Sequence, residues 1–123
     1  MIFAAGDTKP IYLQISDWLE AEILSGNLTA GEKIYSQYQL AEMFNINPAT
    51  AAKGLNILAD ESILYKKRGL GMFITPDAGL IIRKKRREQI LERLVLDLVK
   101  EARLLDIPES GIISMIKDAL NRE

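Results

Sequence analysis

The chain has 123 residues, 48% hydrophobic and 27% charged, with a formal net charge of −1. That is the composition of a folded chain with one compact core and a small appended element, not of a disordered one. It has no cysteine and no histidine, which excludes a disulfide framework, thiol chemistry, the usual zinc sites and any histidine-dependent triad or relay; carboxylate-only metal binding has no loop signature to support it.

In chain order, the opening MIFAAGDTKP lacks a basic region followed by a long apolar core, so no secretory leader is expected. No apolar run approaches the roughly 18 to 20 residues that cross a bilayer, so no membrane partner and a cytoplasmic location are expected. Lys9-Pro10 opens a first helix, since the missing proline N–H has no helical partner in the first turn. Ile11, Ile15, Trp18, Leu19, Ala21, Ile23 and Leu24 give it an apolar face to about Ser25. Gly26-Asn27 ends it and Ala30-Gly31 makes the next turn. Ser36 with Gln39 forms a capping box for a second helix, with Leu40, Ala41, Met43 and Phe44 as its buried side and Asn45 as a left-handed stop.

A third helix starts at Asn47-Pro48, with Asn47 as cap and Pro48 in the first helical position. Ala51, Leu55, Ile57, Leu58 and Ala59 suit a core; Ala49, Thr50, Lys53 and Asn56, short or polar, are left for the opposite face. Ile63 to Lys67 and Met72 to Thr75 read as two strands around Arg68-Gly69-Leu70-Gly71, and Pro76 closes the domain. A long helix then runs from about Asp77 to Leu104. A last one, after the break at Asp106-Ile107-Pro108, runs to about Leu120.

Helix, tight turn, polar proline-started helix and basic glycine-tipped ribbon, in that order, describe a winged helix-turn-helix, which places one helix in a DNA major groove and a hairpin beside it. The expected fold class is mainly α with a small β-hairpin. Residues 1–76 form a winged DNA-binding domain, and residues 77–123 a C-terminal two-helix element that dimerises it. Residues 1–76 hold six Lys/Arg against eight Asp/Glu, a balance of −2. The positive charge is therefore local, in Lys53, Lys66, Lys67 and Arg68 and in the run Arg83-Lys84-Lys85-Arg86-Arg87; local basic stripes are what phosphate contact requires.

Five stretches carry a resemblance to a known family: Pro10-Ile11-Tyr12-x-Gln14-Ile15, Ile23-x-x-Gly26-x-Leu28-x-x-Gly31, Ser36-x-x-x-Leu40-Ala41, Asn47-Pro48-x-Thr50-x-x-Lys53 and Arg68-Gly69-x-Gly71-x-Phe73. Together, over about residues 8 to 75, the chain resembles the GntR family of bacterial transcription regulators, and in particular its short YtrA-type branch. The resemblance implies a homodimer, a palindromic double-stranded DNA operator and a role in repression. Many members of the family carry arginine where this chain has Tyr38, Pro48 and Ala52, so its operator preference should differ or its affinity should be lower.

The DNA-binding residues expected are Ser36, Tyr38, Asn47, Pro48, Ala49, Thr50, Lys53, Lys67, Arg68, Gly69 and Gly71. Ala49 can approach a thymine methyl, Thr50 and Asn47 can hydrogen-bond a base or phosphate, and Lys53 can meet a phosphate or guanine. Asn47 is read first as a cap and only second as a base contact. Tyr35 and Tyr38 either replace phosphate contacts through their hydroxyls or simply pack. Lys67 or Arg68 could enter the narrower groove, where negative potential attracts cations. The run Arg83 to Arg87 is either a flanking phosphate contact or a solvated face.

Dimerisation is expected through Ile90, Leu91, Leu94, Val95, Leu98, Val99, Ile112 and Ile116, a stripe too apolar for a lone helical pair in water. No catalytic constellation is visible, since acids such as Glu20, Glu22, Glu88 and Glu92 fall on predicted helix surfaces; the chain is not expected to be an enzyme and no cofactor is expected. A small-molecule effector remains open, with no residues that identify its site. The competing reading is a winged helix used as a protein-interaction module, which the negative balance of the domain favours and the basic wing opposes.

Overall fold

A computed structural model describes residues 8–122; the leader reading, made on the first residues, lies outside them. The elements are α1 (Ile11–Leu24), α2 (Gln37–Phe44), α3 (Pro48–Asp60), β1 (Leu64–Lys67), β2 (Gly71–Ile74), α4 (Ala78–Arg86), a π-helical turn (Arg87–Leu91), α5 (Glu92–Leu104) and α6 (Glu109–Arg122). The mainly helical class with one antiparallel hairpin is as expected. The chain divides into a unit ending at Lys84 and a second starting at Lys85.

Local chemistry sets the boundaries of the first three helices. Pro10 is the N-cap of α1 and Ile11 its first helical residue. Ser36 and Gln39 close both halves of the capping box on α2: the Gln39 backbone N–H donates to the Ser36 hydroxyl at 3.1 Å, and the Ser36 N–H donates to Gln39 Oε1 at 2.8 Å. Asn45 stops α2 at φ 54°, the left-handed cap that asparagine tolerates. Asn47 Oδ1 accepts from the Ala49 N–H at 2.8 Å with Pro48 next in line, so α3 starts on a satisfied donor and a fixed φ.

The core of the first unit is built from Ile15, Leu19, Ile23, Leu28, Ile34, Leu40, Ala51, Leu55, Leu58, Ile63, Leu64, Ile74, Ala78 and Ile82. Trp18, Tyr35 and Phe44 form an aromatic group against it: the Trp18 ring meets Phe44 edge-on at 4.9 Å and Tyr35 at 6.1 Å. Three sequence expectations change. Met43 is exposed on α2, because Leu40 and Ala41 already fill its inner face. Glu20 is buried on α1 between core neighbours Leu19 and Ile23, not on the surface. Ala78 and Ile82 pack into the winged core, which carries the first unit past Pro76 into α4.

The ribbon is antiparallel with Leu64 opposite Ile74, Tyr65 opposite Phe73, Lys66 opposite Met72 and Lys67 opposite Gly71. It is wider than a hairpin. Residues 31–34 run along the other edge of β2: the Gly31 N–H donates to the Ile74 carbonyl at 2.8 Å, the Ile74 N–H to Glu32 at 2.9 Å and the Ile34 N–H to Met72 at 2.9 Å, with Lys33 bridged to Phe73.

In the second unit, α5 buries only Ala102 and α6 buries none of its described residues. Between them Asp106 takes φ 55° and the Ile107 N–H returns to the Ala102 carbonyl at 2.9 Å, a Schellman-like end for α5. No helix of the described residues is long and apolar enough to cross a membrane.

Candidate nucleic-acid interface

The third helix is held in place by an unusually close crossing with α1. Gly54 makes this possible: a Cβ there would lie 2.8 Å from the Tyr12 carbonyl oxygen and 3.2 Å from Ile15 Cγ2. The Ser16 hydroxyl, 2% exposed, sits in the crossing and donates to the Gly54 carbonyl at 2.8 Å, with the Tyr12 carbonyl at 3.2 Å. Ala51, Gly54, Leu55 and Leu58 turn inward. The start of α3 is left toward solvent: Asn47, Ala49 and Lys53 are exposed, Pro48 and Thr50 half-buried.

Of these residues, Asn47 has its side-chain oxygen committed to the helix, which fits capping as its first role. Ala49, Thr50 and Lys53 share a face at three- and four-residue spacing. The Lys53 ammonium does not hang free; its Nζ lies 4.0 Å from the centroid of the Tyr12 ring.

The start of α2 and the ribbon border one open groove of about 540 Å³, lined by Lys33, Ser36, Tyr38, Lys66, Lys67, Arg68, Gly69 and Gly71 with Ile34, Leu55 and Met72 at its floor. Its rim is cationic, and the opening N–H groups of α2 add a positive helix end. Gly69 and Gly71 take φ of 77° and 112°, backbone that side chains avoid. Over Gly71 lies the Lys33 side chain, whose Cε would be 2.8 Å from an added Cβ. Lys67 Nζ rests 4.4 Å from the Phe73 ring and 5.8 Å from that of Tyr65, while Arg68 is exposed at the tip.

Ser36, Tyr38, Lys67, Arg68, Gly69 and Gly71 are thus brought together by the groove; Asn47, Pro48, Ala49, Thr50 and Lys53 are placed by α3, outside its lining. Tyr35 is half-buried against Trp18 and also lines the groove, whereas Tyr38 is 69% exposed. Lys33 escaped sequence reasoning because it reaches the groove only through the pairing of residues 31–34 with β2. Of the basic run, Arg83, Lys84 and Arg87 are exposed, and Lys85 and Arg86 half-buried. The expected dimerisation residues Ile90, Leu91, Leu94, Val95 and Ile116 are exposed in the single chain, and Leu98, Val99 and Ile112 are half-buried. Among the described residues no group of acids is placed to hold a metal ion.

Residues 11–74 match the family of bacterial regulatory proteins known as the gntR family. The chain belongs to the GntR family. This GntR protein is 31% identical over 112 residues to the uncharacterised HTH-type transcriptional regulator YhcF of Bacillus subtilis, covering 89% of each chain. It is 32% identical over 87 residues to the HTH-type transcriptional repressor YtrA of the same organism, covering 71% of this chain and 67% of YtrA. Several longer relatives are matched over only 13% to 32% of their own length. Among solved structures, a GntR family transcriptional regulator from Listeria monocytogenes superposes with a TM-score of 0.76 at 32% identity, covering 91% of this chain and 96% of that one. BusR of S. agalactiae, solved with its busAB-promotor DNA, superposes with a TM-score of 0.58 at 28% identity, covering 94% of this chain and 57% of BusR.

Proposed function

We propose that this GntR-family chain is a cytoplasmic homodimeric repressor that occupies an inverted-repeat DNA operator. The observation that carries the reading is the cationic groove, in which Lys33, Lys66, Lys67 and Arg68 face the capped start of α2. Such a groove is shaped for a sugar-phosphate strand, while the exposed turn of α3 supplies Ala49, Thr50 and Lys53 for base edges. α3 carries no arginine, so bidentate guanine reading is scarce, and discrimination rests on short side chains and on the wing. YtrA, named a repressor, and BusR, solved on its promoter DNA, support the same reading.

The dimer in this reading rests on α5 and α6. Ile90, Leu91, Leu94, Val95 and Ile116 stand 40% to 57% exposed in one chain, an apolar face that a second copy would cover, and a two-fold dimer presents two winged units to two half-sites. A second reading, a protein-interaction module, draws on the negative balance of residues 1–76.

Purified protein incubated with sheared genomic DNA of its source organism, followed by sequencing of the retained fragments, tests the proposal. One enriched inverted repeat near a promoter is the expected result. Binding should also fall steeply with salt, by about 0.9 in the log–log slope per phosphate contacted. A flat salt response, or retention without a shared motif, would favour the protein-interaction module.

A further inference from the structure

Lys53 and Tyr12 come from different helices and meet ring to ammonium, 4.0 Å apart. Tyr12, half-buried in the first turn of α1, is held by its own backbone. Its carbonyl abuts Gly54, 2.8 Å from where a Cβ would stand, and the buried Ser16 hydroxyl lies within hydrogen-bond reach of both carbonyls. The backbone from which the ring projects therefore belongs to the fixed part of the domain. Lysine side chains carry substantial rotamer freedom, which is lost when the ammonium settles on a partner. A ring face narrows that freedom in advance. Unlike a carboxylate, it leaves the positive charge whole for a phosphate or a guanine.

We propose that Tyr12 is a positioning residue for DNA recognition: it stations the Lys53 ammonium at the exposed face of α3 shared with Ala49 and Thr50. The proposal rests on the DNA-binding reading above. Four proteins form the test, the wild type, Tyr12→Leu, Lys53→Met and the double variant. Tyr12→Phe is the conservative control, and the probe is a fluorescent duplex of the fragment most enriched in the genomic selection.

Tyr12→Leu should weaken binding about two- to five-fold, the worth of an exposed cation–π contact, and Tyr12→Phe should bind like the wild type. Lys53→Met should weaken binding, and if Lys53 contacts a phosphate it should lower the salt slope by about one. In the Lys53→Met background Tyr12→Leu should cost nothing further. An equal loss in both backgrounds would make Tyr12 merely structural and overturn the proposal, as would a gain in affinity, which would mean that the ring sequesters the lysine. Failure of the wild type to bind any duplex would refute the DNA-binding reading itself, whereas wild-type binding without coupling refutes only the role of Tyr12.

Discussion

Gly54→Ala sets helix propensity against packing. Alanine is favoured over glycine inside a helix by about 1 kcal/mol, so propensity alone predicts a more stable protein. The added Cβ, however, would lie 2.8 Å from the Tyr12 carbonyl oxygen and 3.2 and 3.3 Å from Cγ2 and Cβ of the fully buried Ile15. The first obstacle is backbone and cannot rotate away, so α3 must move off α1. Overpacking of this kind typically costs about 1–3 kcal/mol. Separating the helices also stretches the buried 2.8 Å bond from Ser16 to the Gly54 carbonyl, worth about another 1 kcal/mol. Setting the propensity gain against these losses leaves a net destabilisation of about 1–3 kcal/mol, or a fall of roughly 5–20 °C in Tm for a domain of this size.

Thermal unfolding followed by circular dichroism measures the change. Gly79→Ala is the matched control, since a Cβ there meets only the mobile end of the Arg83 side chain at 3.0 Å. It should leave Tm unchanged or raise it, the gain in stability being up to about 1 kcal/mol. A Gly54→Ala protein as stable as the wild type would refute the argument that this glycine sets the helix crossing.

Three further outcomes are expected. Ser36→Ala removes the acceptor of the capping box and should cost about 0.5–2 kcal/mol in chemical denaturation, with Ser36→Asp restoring most of it. Replacing Lys67 and Arg68 by glutamine should lower the salt slope of duplex binding by about one for each phosphate no longer neutralised; a shift in affinity with an unchanged slope would place these cations off the backbone. Leu94→Asp should give monomers by light scattering and abolish operator binding, and a variant that stays dimeric would remove α5 from the interface.

Much of the winged unit was legible because its punctuation is local. Ser36 with Gln39, Asn45, and Asn47 with Pro48 each fix a helix end through chemistry contained within four residues, and the glycines at 69 and 71 mark the ribbon tip the same way. The family motifs then tied these pieces to one fold. The features that escaped depend on partners far along the chain. Residues 31–34 become a strand-like edge only against β2, which brought Lys33 to the groove unseen. Gly54 reads as a weak helix residue until α1 lies across it. Glu20 and Met43 exchanged their expected sides because apolar periodicity ranks residues by type, whereas burial depends on which position the neighbouring helix covers. Ala78 and Ile82 lie beyond Pro76, a strong stop signal, yet their side chains complete the core behind it.

The strand-like edge at residues 31–34 has a consequence for how this domain can be altered. Because β2 is bonded on both sides, Ile74 is anchored through its N–H to Glu32 and through its carbonyl to Gly31, and the base of the ribbon is tied to the body of the domain independently of its tip. Residues 68–70 can then be lengthened, or exchanged for loops that keep a glycine at the positive φ of Gly69, at little more than loop-closure cost, about 0.6 kcal/mol for each doubling of loop length. The tip is a graftable cassette: loops from other winged proteins could be set there to retarget the protein while α1, α2 and α3 keep their packing.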